Sequence, residues 1–141
     1  MKEINLEELK NIELNMLIDF AKFCDDNNFT YYLSGGTLLG AIRHRGFIPW
    51  DDDIDIMMPR EDYNKAIKTY KNDIYKIDSI LVNPNSYNRY ARINNIKTKL
   101  ESNLRQHLKE SVFIDICPID GLAGSKFKQD VIFGIQIYYF E

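Results

Sequence analysis

Tyr31–Asp62, YYLSGGTLLGAIRHRGFIPWDDDIDIMMPRED, decides the reading of this chain. A small diglycine flanked by hydroxyl residues, Ser34-Gly35-Gly36-Thr37, follows directly on an apolar run. Further on comes Asp51-Asp52-Asp53-Ile54-Asp55-Ile56, in which acidic and apolar residues alternate from Asp53 onward. In a strand, side chains at i and i+2 point the same way, so Asp53 and Asp55 share one face while Ile54 and Ile56 point into a core. Two carboxylates on one face cannot both be desolvated without a counter-charge. Hard divalent cations with oxygen ligands supply one, and Mg²⁺ favours one or two carboxylates together with substrate phosphates. A glycine pair after a strand lets backbone N–H groups approach phosphate oxygens with no Cβ in the way. A helix that follows can aim its N-terminus at the same anion. A phosphate cradle followed by metal-binding carboxylates is what an enzyme acting on a nucleotide requires.

Other readings of the stretch fail or stay local. Acidic runs are ordinarily solvated loops, which suits Asp51 and Asp52 but not Asp53 and Asp55, whose flanking isoleucines demand a buried strand. A calcium loop opening at Asp51 needs Gly at position 56 and Glu at 62, where this chain has Ile56 and Asp62. Neither a Walker A loop nor GxGxxG fits the glycine spacing. Arg43 is a candidate phosphate contact between the two signals; His44 reads as a loop histidine. Arg89 and Arg92 add candidate contacts further on. Asp115, within the apolar run VFIDIC (112–117), supplies a third acid if its strand neighbours that of Asp53 and Asp55.

Around this centre the chain reads as α+β, a mixed β-sheet flanked by helices. Its 141 residues are the size of one domain, 1–141. A 3.6-residue apolar period predicts a helix over 5–26, with Glu13 as a polar intrusion and Asn5 with Glu8 as a capping box. Strands are expected at 29–33, 53–57, 74–82, 112–117 and, as a pair with Asn94-Asn95 at or near the turn, at 89–96 and 97–102. Helices are expected at 37–43, 60–72 and 125–141, the core spanning 29–121. The last helix, carrying VIFGIQIYYF, is apolar on more than one side. It therefore calls for cover, by a peripheral membrane, a partner, or a further C-terminal part.

Composition narrows the partners. A net charge of −3 argues against nucleic acid as a ligand. Two distant cysteines suggest a reduced setting rather than a disulfide scaffold. With no secretory signal and no apolar run long enough to span a bilayer, a cytoplasmic location is expected, at most at the inner face of the membrane.

The residues GGTLLGAIRHRGFIPWDDDIDIMMPR closely resemble the signature of the LicD family of phosphocholine transferases, to which fukutin-type transferases are related. FIDICPIDGL resembles that family's third-acid segment. The resemblance implies a DNA polymerase β-type nucleotidyltransferase fold, Mg²⁺ as a pair of ions with Mn²⁺ as substitute, a CDP-activated donor such as CDP-choline, and a glycan acceptor. It implies that Asp53, Asp55 and Asp115 bind metal and form the catalytic set. Ser34, Gly35, Gly36 and Thr37 would hold the donor phosphates, helped by Arg43 and Arg92. Members of that family are longer than this chain, with a C-terminal half associated with the acceptor.

Overall fold

A computed structural model describes residues 4–99 and 111–121. The first element, α1 (Leu6–Asp26), starts as its capping box dictates: the Glu8 amide donates to Asn5 Oδ1 at 2.9 Å and the Asn5 amide donates back to Glu8 Oε2 at 3.2 Å. Its apolar stripe buries Met16, Phe20 and Cys24, and with them Glu13. After α1 come β1 (Tyr32–Leu33), α2 (Gly35–His44), β2 (Asp55–Pro59), α3 (Arg60–Thr69), β3 (Tyr75–Asp78), β4 (Ala91–Asn95) and β5 (Phe113–Ile119). The five strands form one mixed sheet in the order β1-β2-β5-β4-β3, in which β2 and β5 run parallel and the other neighbours antiparallel.

One face of the sheet carries the core. Ile54, Ile56 and Met58 meet Ile114 and Ile116 of β5 and Ala91 and Ile93 of β4, all at most 1% exposed. Residues from α1 and from α3 (Tyr63, Ala66, Ile67) cover that face. Tyr63 also serves the sheet's polar groups, since its hydroxyl accepts from the Ala91 amide at 3.1 Å. The alternate residues of the same strands point to the other face, which carries Asp55, Asp115, Arg92 and Asn94 among less polar neighbours.

Several boundaries move from those the sequence suggests. Only Tyr32–Leu33 of the run 29–33 pairs in the sheet: the Phe29 amide is taken by Cys24 O and that of Thr30 by Asp62 Oδ2. The helix expected at 37–43 begins two residues earlier, so the diglycine forms its first turn rather than a loop before it. The strand at 53–57 begins at Asp55, leaving Asp53 just ahead of it. Helix α3 stops at Thr69, because Tyr70 is extended while its amide still bonds Ala66 O. The strand at 74–82 is cut at Asp78, beyond which residues 79–88 turn repeatedly. Asn94-Asn95 lies next to the turn and not within it. Both residues lie in β4, opposite Lys76 and Tyr75, and the chain turns after them, with the Lys97 amide on Asn95 Oδ1 and that of Thr98 on Asn95 O. Residues 97–99 accordingly form no strand. β5 runs on through Pro118, which pairs opposite Met58. The helix expected at 125–141 and the segment 100–110 lie outside the described residues. Among the described residues no helix is long and apolar enough to cross a membrane.

Candidate active site

The polar face of the sheet centres on two acids that chain order keeps sixty residues apart. Asp55 and Asp115 are direct partners in the parallel β2–β5 register, so their side chains project side by side from one face. The adjacency that the third acid requires is therefore met. Asp115's amide bonds Ile54 O at 3.0 Å, locking that register.

The diglycine element fixes Asp55 from the other side. Ser34 donates its amide to Asp55 O at 3.0 Å, and the Asp55 amide donates to Thr37 Oγ1 at 2.9 Å. Ser34 is buried and caps α2 by position only, its side chain making no cap hydrogen bond. Ser34 and Thr37 thus hold the backbone of the acid strand. Gly35 has φ +52°, a left-handed conformation that side-chain-bearing residues rarely adopt, and a Cβ there would sit 3.1 Å from Asp55 Oδ2. A Cβ on Gly36 would overlap the carboxylate of Asp51. Both glycines are required by the close approach of carboxylates to the first turn of α2.

The loop that carries Asp51 to Asp53 is anchored to α1. Lys10 Nζ donates to Ile48 O and Pro49 O at 2.9 Å each and lies 5.5 Å from the centre of the Phe47 ring. Ile48 is buried and Asp51 bonds back to its carbonyl. Behind the diglycine lies a mainly apolar cavity of about 260 Å³, lined among others by Leu14, Leu17, Thr37, Asp51 and Ile54.

The acids feel one another. Asp55 is pushed above the ordinary carboxylate range by burial and then by Asp53, Asp115 and Asp51. Asp53 is pushed the same way by burial, then by Asp51, Asp52 and Asp115. Glu13, at 3% exposure, rises to about 8 through burial and the negative charge of Asp53 and Asp52, with Lys10 opposing. Its Oε2 has no hydrogen-bond partner. Sequence reasoning passed over Glu13 as an intrusion on an apolar stripe, yet an acid on that stripe is the signal that α1 faces something charged.

A divalent cation suits this donor set in chemistry and in charge. The donors are all oxygens, and the repulsion among them is what a cation would relieve. As they stand, no three acidic, histidine or cysteine side chains among the described residues close up around a single ion position. Asp115 is turned toward Arg92, whose Nε donates to Asp115 Oδ1 at 2.8 Å while the guanidinium lies 3.8 Å from the centre of the Phe113 ring. Arg92 therefore reaches the site through the third acid, a non-local pair that spacing along the chain does not disclose. Arg43 is not brought to it. It is exposed in the last turn of α2, about 12 Å along the axis from Gly35, and its Nε bonds His44.

Comparison with known proteins identifies the family. Residues 28–140 match the family described as LicD/FKTN/FKRP, nucleotidyltransferase domain. The lipopolysaccharide cholinephosphotransferase LicD of Haemophilus influenzae is 34% identical over 128 residues, covering 88% of this chain and 48% of its own length. The ribitol 5-phosphate transferases FKRP of human and mouse are each 56% identical over 32 residues, 23% of this chain and 6% of theirs. The chain thus spans about half the length of the bacterial relative. With the family matched across most of its residues, this chain belongs to the LicD/FKTN/FKRP nucleotidyltransferase-domain family.

Proposed function

We propose that this domain catalyses Mg²⁺-dependent transfer of a phosphocholine-like, phospho-alcohol group from a CDP-linked donor to a hydroxyl of a cell-surface glycan precursor, on the cytoplasmic side of the membrane. The reading assigns the domain a DNA polymerase β-type fold. The observation that carries it is the registered pair Asp55 and Asp115 on the polar face, with the first turn of α2 against Asp55. The names of the relatives, a cholinephosphotransferase and ribitol 5-phosphate transferases, support a phospho-alcohol as cargo.

In this reading the amides of Gly35 and Gly36 receive oxygens of the donor pyrophosphate, where the exposed N–H groups and dipole of α2 favour an anion. Asp53, Asp55 and Asp115 would hold the metal, Mn²⁺ serving in place of Mg²⁺. When bound, such an ion neutralises the pyrophosphate and stabilises the charge that grows on the leaving oxygen. The acceptor hydroxyl attacks the phosphorus that bears the alcohol. A new P–O bond forms, the bond to the bridging oxygen breaks, and CMP departs with that oxygen. In this reading Asp115 takes the hydroxyl proton, and the bond from Arg92 Nε to its Oδ1 orients the carboxylate.

Product analysis tests this directly. Incubation with CDP-choline, Mg²⁺ and lipopolysaccharide is expected to yield CMP and a phosphocholine-bearing acceptor. Release of pyrophosphate from CTP instead would make the domain a nucleotidyltransferase. Binding of CDP-choline without turnover would make it a nucleotide-binding module.

A further inference from the structure

The acid pair is one end of a longer row. Across the polar face the register places Asp55 beside Asp115, Asp115 beside Arg92, and Arg92 beside Asp78. The adjoining row on the same face is Phe113, Asn94 and Lys76. Over the β4–β3 end of these rows lies a groove of about 390 Å³, within the roughly 300–1,000 Å³ typical of small-ligand sites. Its floor is the two rows and its wall is Tyr87 with Asn88.

The wall is built from one hub. Asp78 accepts from Asn83 Nδ2 at 3.1 Å, Ser86 Oγ at 3.0 Å and Asn88 Nδ2 at 2.7 Å, tying the turns of residues 79–88 to the end of β3. Tyr87 stands between two of those anchors and is 94% exposed. A large ring held out in water by a hydrogen-bonded loop gains nothing from the core, and suits contact with a ligand.

Each charged side chain around the groove already has a partner. Arg92 is paired with Asp115 and stacked on Phe113, Lys76 Nζ donates to Asn72 O at 2.6 Å, and Asp78 holds three donors. What the groove offers a ligand is an aromatic face, the amides of Asn88 and Asn94, and the Ser111 hydroxyl, which itself bonds Asn94 Oδ1. That combination matches a neutral ring with one apolar C–H face and several hydroxyls.

We propose that this groove is the acceptor site and that it takes a neutral saccharide, with Tyr87 as the stacking platform and Asn88 and Asn94 as the hydroxyl-reading amides. The inference rests on the phosphotransfer reading in one respect: a sugar seated there lies one strand from Asp115, across Arg92, on the side away from the diglycine.

Saturation-transfer NMR with methyl β-D-glucopyranoside and methyl β-D-galactopyranoside tests it on the whole chain without any donor. At least one sugar is expected to show saturation of its C–H protons, with affinity about tenfold weaker in Tyr87→Ala and retained in Tyr87→Phe. Circular dichroism of both variants should match that of the unmodified chain, since the ring is exposed. Absence of signal from both sugars at their solubility limit, equal signal in Tyr87→Ala, loss in both variants, or displacement of the sugar by cytidine would each overturn the assignment. Calorimetry of CDP-choline with Mg²⁺ on the unmodified chain reads the donor site separately. Failure there would remove the transfer reading and leave the sugar result to stand or fall on its own.

Discussion

The two faces of β2 and β5 are made by the same few residues and behave in opposite ways. On one face Ile54, Ile56, Ile114 and Ile116 are at most 1% exposed and satisfied entirely by their neighbours. On the other, at the positions between them, Asp55 and Asp115 stand side by side, and burial together with the surrounding acids raises the proton affinity of Asp53 and Asp55. Stability is written on the even-numbered positions and chemistry on the odd ones, one residue apart. The polar face is stable only because the apolar face holds the strands in register against repulsion that they would otherwise relieve by separating.

Substitutions on the two sides should break that division most visibly. Ile56→Ala is expected to lower unfolding free energy by about 2–5 kcal/mol in urea denaturation, as for other fully buried aliphatic truncations. Asp53→Asn should leave circular dichroism and the melting temperature nearly unchanged while transfer from CDP-choline falls at least about a hundredfold. If Asp53→Asn also unfolded the domain, the two faces would not be separable.

A smaller effect is expected where the faces are joined by backbone. Gly35→Ala must force φ +52° on a residue with a Cβ and crowd Asp55 Oδ2, at a cost of about 1–2 kcal/mol by thermal melting. The substitution should weaken donor binding as well, because the displaced group is the carboxylate of β2. A glycine serving only as a turn would lose stability without that second loss.

The pH dependence of stability should come from the acid side. Glu13 binds its proton more tightly folded, up to about 8, than its ordinary value of 4.5. Its contribution is complete below the unfolded value and is lost progressively as pH rises through that window. Asp53 and Asp55, raised above 3.8, act in the same sense at lower pH. The melting temperature is therefore expected to fall between pH 5 and pH 8, and Glu13→Gln should flatten that fall. A variant retaining the whole slope would exclude Glu13 as its source. The least effect belongs to Arg60, whose pair with Asp120 at 2.5 Å is largely exposed: Arg60→Ala should cost at most ~1 kcal/mol, and less at high salt.

Much of this was legible in the sequence because local rules governed it. The alternation through Asp55 and Ile56 is a strand period, and the Asn5–Glu8 box announces the start of α1. The misreadings share a cause. Asn94-Asn95 has the composition of a turn, but pairing on both sides keeps it in the sheet, and the turn falls just after it. The diglycine was expected before a helix and is its first turn, since Asp51 and Asp55 fill the space where side chains would stand. Arg92 with Asp115, and Lys10 with the loop at Ile48 and Pro49, join positions with no sequence signal to connect them.

On the proposed reading, the acid face receives a metal-bound, CDP-linked donor. Calorimetric titration of CDP-choline in Mg²⁺ into the unmodified chain and into Asp55→Asn tests it most directly. Expected are binding to the unmodified chain that EDTA abolishes, no binding to Asp55→Asn, and a melting temperature in that variant no lower than before. Equal affinity in the two proteins, or binding that EDTA leaves untouched, would contradict it.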